Sequence, residues 1–174
     1  LKSGSALDLA SASFGQGLAV TPIAMARALS TLANHGMLVT PHVADHIRLE
    51  SGIRKQTWYK DERRVFRTES ADEVTNMLIT VVDEALLGGK IKQERHSIAA
   101  KTGTAQIANP AGGYYTDRYL HSFFGYFPAY DPQFLIFLFT VEPRGVSYAS
   151  QTLTEPFSEL TQFLISYYNI PPDR

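Results

Sequence analysis

"SIAAKTGTAQIA", residues 97–108, sets a lysine, a threonine and a glycine at the centre of a small, apolar run whose first eleven residues, 97–107, read as a β-strand. An unpaired buried ammonium is costly. Either water reaches Lys101 or another group uses it.

Outward from this strand the chain divides into elements wherever a cap and a hydrophobic period agree. Two more strand-like runs follow, "LHSFFGYFPA" at 120–129 and "QFLIFLFTVE" at 133–142, joined by a few residues around Asp131-Pro132. So short a connection makes them antiparallel neighbours. The chain closes with "TEPFSELTQFLISYY", which carries Thr154 and Pro156 near its start and Phe157, Leu160, Leu164 and Tyr167 at helical spacing, and stops before Pro171-Pro172. Upstream, "TPIAMARALSTLANHG" opens with Thr21 as N-cap and Pro22 at the first helical position, puts Met25, Leu29 and Leu32 on one stripe, and ends at Gly36. "SADEVTNMLITVVDEALLGG" pairs Ser70 with Glu73 as a capping box and runs as a helix to Gly88-Gly89. Between the two helices, "HVADHIRLE" alternates from His42 to Glu50, and Ser51-Gly52 turns it into a second strand around Trp58. A terminal helix packed across a three-stranded antiparallel sheet makes the class α+β.

Bulk properties bound the function. The chain's 174 residues suffice for one domain or part of one. Sixteen basic against seventeen acidic residues, with no basic block, argue against a nucleic-acid partner. The absence of cysteine excludes disulfides, thiolate catalysis and cysteine-ligated zinc within the chain. No stretch reaches the ~18 apolar residues of a membrane helix, and the first residues lack the order of a signal peptide.

Lys-Thr first suggests a phosphate loop. Walker A, however, needs a glycine immediately before the lysine and another five positions earlier, where this chain has Ala100 and Arg95. The other chemistry built on Lys-Thr-Gly is that of serine penicillin-binding proteins and β-lactamases. The residues suit it. Lys101 offers a positive charge for a carboxylate or a proton relay, Thr102 a hydroxyl beside it, and Gly103 lacks the Cβ that would hinder an extended peptide docking on the strand edge. Thr104 continues that wall. Strict alternation sends Lys101 and Thr102 to opposite faces, so a site serving both sits astride the edge.

Alone, the triplet is a roughly few-per-cent coincidence in a chain of this length, and context decides. "SFGQGLAVTPIAMARALSTLANHG" resembles a segment of class B penicillin-binding proteins, an aromatic and Gly-Gln-Gly followed by Val-Thr-Pro opening a helix that ends in Leu-Ala-Asn-x-Gly. "AAKTGTAQ" resembles the longer form of their third motif. "HSFFGYFPAYDPQFLIFLFTVEP" is similar to the strand pair that follows it, and "TEPFSELTQFLISYYNIPPD" to their closing helix and tail. The four segments occur in family order over most of the chain.

The resemblance implies the penicillin-binding protein and β-lactamase-like fold, with residues 1–174 as the C-terminal part of a transpeptidase domain and no second domain. It implies a serine D,D-transpeptidase that attacks the D-Ala-D-Ala end of a peptidoglycan stem peptide, forms an acyl-enzyme and passes the acyl group to an acceptor amine, with β-lactams as mimics of the donor. Lys101 is then the catalytic residue of this segment, and Thr102, Gly103 and Thr104 bind substrate. No metal or cofactor is expected. The implied partners are stem peptides, β-lactams, the upstream half of the same domain and the cell-wall synthesis machinery. The implied location is the extracytoplasmic face of the bacterial cytoplasmic membrane, with an anchor upstream of this segment. The family's nucleophile lies in Ser-x-x-Lys and its second motif is Ser-x-Asn, and neither occurs in these residues. Both are therefore expected in preceding chain. A non-catalytic penicillin sensor and a β-lactamase are the alternatives, separated from the transpeptidase by stoichiometric acylation without transfer and by rapid release of hydrolysed drug.

Other features have plainer readings. His42 and His46 have the i, i+4 spacing of helical ligands but stand in an alternating stretch, and no Glu follows the first, so no metal site is assigned. Phe123, Phe124, Tyr126 and Phe127, with Phe134, Phe137 and Phe139, lack interleaved basic residues and read as two-sided sheet core rather than a base-stacking platform. "NPAGGYYTDR" is a connector or a rim loop over the site. The family's Gly-Thr-Gly-like stretch has only Gly88-Gly89-Lys90 as its nearest approach.

Overall fold

The computed structural model describes residues 5–57, 59 and 63–174. In order these form α1 (Ala6–Ser13), α2 (Pro22–Ala33), β1 (Met37–Leu38), β2 (His46–Arg48), β3 (Arg54–Gln56), β4 (Arg63–Arg64), α3 (Thr68–Thr80), β5 (Ala99–Ala108), β6 (Tyr114–Phe127), β7 (Phe134–Val141), α4 (Ala149–Thr152) and α5 (Thr154–Tyr167). The main sheet is antiparallel in the order β5-β6-β7, and β1-β4 and β2-β3 are small separate pairs.

At α2 the sequence expectation holds. Thr21 accepts the Ala24 N–H at 3.3 Å and Pro22 opens α2. The Ser70–Glu73 capping box does not form. Helix α3 begins earlier, at Thr68, because Arg64 donates through Nη1 to Thr68 Oγ1 at 2.8 Å and ties the first turn to the preceding chain. Its regular part ends at Thr80, and a π-helical turn (Val81–Ala85) and a tight turn (Leu86–Gly89) carry it to the expected glycines. The hairpin forms around the expected Ser51-Gly52 turn, with Gly52 N–H donating to Leu49 O at 2.9 Å. Its strands are shorter than the alternation suggested, 46–48 and 54–56, and Trp58 lies outside the described residues. Half of the expected connector or rim loop at 109–118 is strand, since β6 starts at Tyr114 and pairs Tyr114 with Ala108 across a bulge.

The sheet is covered on both faces, which explains its apolar strands. On one face Ile98, Ala100, Phe123 and Phe127 pack with Phe157, Leu153, Val82 and Ile170. On the other, Ala99, Tyr126 and Ala129 pack with Leu78 and Ile79 of α3 and with Leu32 of α2. The buried Tyr126 hydroxyl meets Thr75 Oγ1 at 2.7 Å, and burial pushes its phenol above the usual range. Helix α5 buries Phe157 and Thr161 fully but leaves Leu160 and Tyr167 exposed, so its inward stripe is rotated from the expected one.

Gly125 sets the depth at which α5 sits. The Phe157 ring stacks on Phe123 at 4.4 Å, and a Cβ on Gly125 would stand 2.4 Å from Phe157 Cζ and 2.8 Å from Ala100 Cβ. All three neighbours are fully buried. Gly125→Ala should therefore destabilise the fold by about 1–3 kcal/mol, read as a lower denaturant midpoint. Phe157→Leu in the same chain should recover part of that loss, and a Gly125→Ala protein as stable as the parent would refute this packing.

The start of β5 is held by the C-terminal tail. Ser97 is fully buried; its N–H donates to Asp173 Oδ1 at 2.7 Å, its hydroxyl to Oδ2, and Ala129 N–H donates to Ser97 Oγ at 2.8 Å. Arg174 then forms a bidentate pair with Asp83 at 2.6 and 2.9 Å. The Asp83 carboxylate raises the pKa of that guanidinium. These contacts fix the strand before it reaches Lys101.

Candidate active site

Strand β5 has one neighbour, β6, so its other edge is open among the described residues. The register pairs Lys101 with Phe124, Thr102 with Phe123, Gly103 with Ser122 and Thr104 with His121. Alternation therefore puts Lys101 and Gly103 on the face toward α2, and Thr102 and Thr104 on the face toward α4 and α5. The four candidate residues share one length of open edge but not one face.

On the α2 side a cleft of about 790 Å³ runs along the strand, lined by Lys101, Thr102 and Gly103 and by the Gly15–Val20 loop that enters α2. The fold thus brings the Gly-Gln-Gly segment and the Lys-Thr-Gly strand, far apart in sequence, to the two walls of one cavity. Lys101 is exposed, and its Nζ donates to Thr102 O at 2.9 Å, folding the side chain back along the strand. That bond is local and solvent-accessible, so it can be exchanged for a ligand oxygen at small net cost. The ammonium at the strand centre is thus accommodated by exposure.

Thr102 is half-buried. Thr104 is exposed, and its Oγ1 accepts the Ala149 N–H at 3.0 Å. Gly103 has ordinary extended backbone, and a Cβ there would lie 2.6 Å from Ser122 Oγ. The missing Cβ therefore makes room for a neighbouring hydroxyl inside the cleft, as well as leaving the edge unobstructed. Ser122 and Tyr114, which also line the cleft, were not singled out in sequence. Ser122 carried one available signal, a small polar residue in an aromatic run. His42 and His46 sit elsewhere, His42 stacked on Tyr59 at 4.0 Å and His46 bonded to Asp45 at 3.0 Å.

An open strand edge bearing a cation and two hydroxyls, beside a mostly apolar cleft, can align an extended acyl donor by its backbone and hold its carboxylate. Comparison with known proteins assigns the class. Residues 2–162 match the penicillin-binding protein transpeptidase domain. The chain is 32% identical to penicillin-binding protein PbpB of Mycolicibacterium smegmatis over 90% of its length and 26% of the relative's. It is 28% identical to the peptidoglycan D,D-transpeptidase FtsI homolog of Nephroselmis olivacea over 79% of its length and 27% of the relative's. Among solved structures, penicillin binding protein 3 of Mycobacterium tuberculosis complexed with aztreonam superposes with a TM-score of 0.81 at 28% identity, over 95% of this chain and 39% of the other. The chain belongs to the penicillin-binding protein transpeptidase family, and the fold is the one the class B resemblance implied. It spans about a quarter of the length of these curated relatives.

Proposed function

We propose that these residues are the C-terminal part of a serine D,D-transpeptidase domain, presenting the Lys-Thr-Gly strand to a peptidoglycan stem peptide. The observation that carries this reading is the open edge of β5 at residues 101–104 beside a cleft walled by the Gly15–Val20 loop. The donor peptide lies along that edge. Its terminal carboxylate takes the Thr102 and Thr104 hydroxyls, with the Lys101 charge close by. A serine from preceding chain attacks the carbonyl between the two D-alanines, the bond to the terminal D-alanine breaks, and the departing amine takes up a proton. The resulting ester is then attacked by an acceptor amine, which forms the cross-link and returns the serine. β-Lactams enter by the same contacts and open their ring on the same serine, in keeping with the solved aztreonam complex of a similar protein.

The preceding half of the domain should also complete the fold. Leu18, Val20 and Phe139 line the cleft yet are about half exposed, at 45%, 53% and 48%. Covering such surface is what a folded partner segment does. The domain works on the extracytoplasmic face of the cytoplasmic membrane, anchored through preceding chain, together with other cell-wall synthesis proteins.

Thr102→Val tests the assignment. It removes one hydroxyl hydrogen bond to a carboxylate and leaves Lys101 in place. A bond to a charged partner is worth about 1.5–3 kcal/mol, so acylation of the complete protein by penicillin should slow roughly ten- to a hundredfold with the melting temperature nearly unchanged. An unchanged rate would place Thr102 outside the site.

A further inference from the structure

We propose that His121 is a positioning residue for acyl transfer, acting through the hydroxyl of Thr104; the proposal rests on the reading of Thr104 as a carboxylate contact. His121 is fully buried on β6, directly opposite Thr104 in the register and on the same face. Both ring nitrogens are engaged by one short segment. Nε2 lies 3.2 Å from Ser147 O, and Nδ1 lies 3.0 Å from Thr152 Oγ1. A carbonyl can only accept, so Nε2 carries a hydrogen, while Thr152 Oγ1, 3.0 Å from Nδ1, also lies 3.2 Å from Ala149 O and has one hydrogen to share between the two. One imidazole thus grips both flanks of residues 147–152.

Between those grips, Ala149 N–H donates to Thr104 Oγ1 at 3.0 Å. An accepted N–H occupies one lone-pair side of that oxygen, and the hydroxyl hydrogen turns elsewhere. The strand edge is open, so Thr104 faces a ligand as a donor, which is what a carboxylate requires. An apolar residue at 121 would leave Ser147 O and Thr152 Oγ1 without the ring and free the segment to drift. Thr104 would then lose the contact that sets its direction. His121 reaches no ligand itself.

The test measures acylation of the complete protein by a carboxylate-bearing penicillin in Thr104→Val, His121→Leu, His121→Gln and Thr152→Val, each alone and the last three also combined with Thr104→Val. Thr152→Val is nearly isosteric and keeps the question open if His121→Leu fails to fold. Thr104→Val should slow acylation about tenfold. His121→Leu should approach that loss, Thr152→Val should give about a third of the parent rate, and His121→Gln, which keeps a donor for Ser147 O, should restore most of it. The losses should appear in apparent affinity rather than in the limiting rate, and in the Thr104→Val background the other substitutions should add nothing. Losses that persist in that background would make His121 a general support of the sheet and overturn the proposal. So would parent-like rates in Thr152→Val and His121→Leu while Thr104→Val is slow, an outcome that leaves Thr104 itself in the site. Should Thr104→Val acylate normally, the reading of Thr104 falls and the role of His121 falls with it.

Discussion

A fluorescent penicillin should leave the isolated 174-residue chain without a covalent label, and labelling should return when the preceding half of the domain is supplied. Acyl transfer needs an activated nucleophile within bonding reach of the carbonyl. No serine in these residues is followed by lysine three positions later. Among the described residues, the one serine lining the cleft at the Lys-Thr-Gly strand, Ser122, has only a long contact of 3.5 Å to Gly103 O, while Lys101 Nζ is bonded to Thr102 O. Among the described residues no general base is bonded to the Ser122 hydroxyl. Intact-mass measurement after incubation should show the unmodified chain, and peptide mapping would find any adduct. A stoichiometric, boil-resistant adduct on Ser122 or any other serine would refute the division of the site between two halves.

Gly103→Val in the complete protein should reduce penicillin acylation by about a hundredfold or more, the scale on which ångström misplacement at a reacting centre acts. The structure supplies two routes to that loss, and they can be separated. The added Cβ meets Ser122 Oγ at 2.6 Å but Ser122 Cβ only at 4.0 Å, so Ser122→Ala removes the internal clash while leaving the ladder partner in place. Valine suits extended backbone, and Gly103 has no left-handed φ to lose. The double variant should therefore melt close to the parent and still fail to acylate, because the branched side chain stands over the cleft wall beside Lys101. If Ser122→Ala restores acylation along with stability, Gly103 serves only its neighbour on β6. The docking role of the edge would then need another basis.

How much of this was legible in sequence depended on whether the deciding contact was local. Helix α2 was readable because Thr21 and Pro22 cap it from adjacent positions, and the three long strands because buried sheet faces demand apolar runs. Helix α1 was missed. It is rich in small residues, and Ser5 makes no side-chain cap bond to announce it. The start of α3 was misplaced because Arg64 anchors Thr68, a contact that the tempting Ser70–Glu73 pattern does not reveal. The π-helical turn and the left-handed Leu87, at φ 50°, flank Leu86, which is buried in the core. In the candidate site, the Lys101–Thr104 stretch was legible as a strand with an open edge. The partner of Thr104, Ala149, lies 45 residues away, and the Ser122 hydroxyl opposite Gly103 required the register.

On the proposed function, the open edge of β5 also bears on selectivity. A recognition surface made of main-chain amides reads the main chain of its ligand, with little sensitivity to which side chains that ligand carries. Exposed edges are ordinarily blunted by proline, a bulge or an inward charge against stray strands. Between Ala99 and Gln106 this strand keeps an unbroken register with β6 and contains no proline, so the stretch remains fully available. Any protection that closed it to a counterfeit donor with an amide and a carboxylate at the right separation would close it to the genuine one as well. Escape from such a counterfeit has to be built around the edge, in the walls of the cleft and the chain that covers it, where geometry can still tell a flexible peptide from a rigid ring.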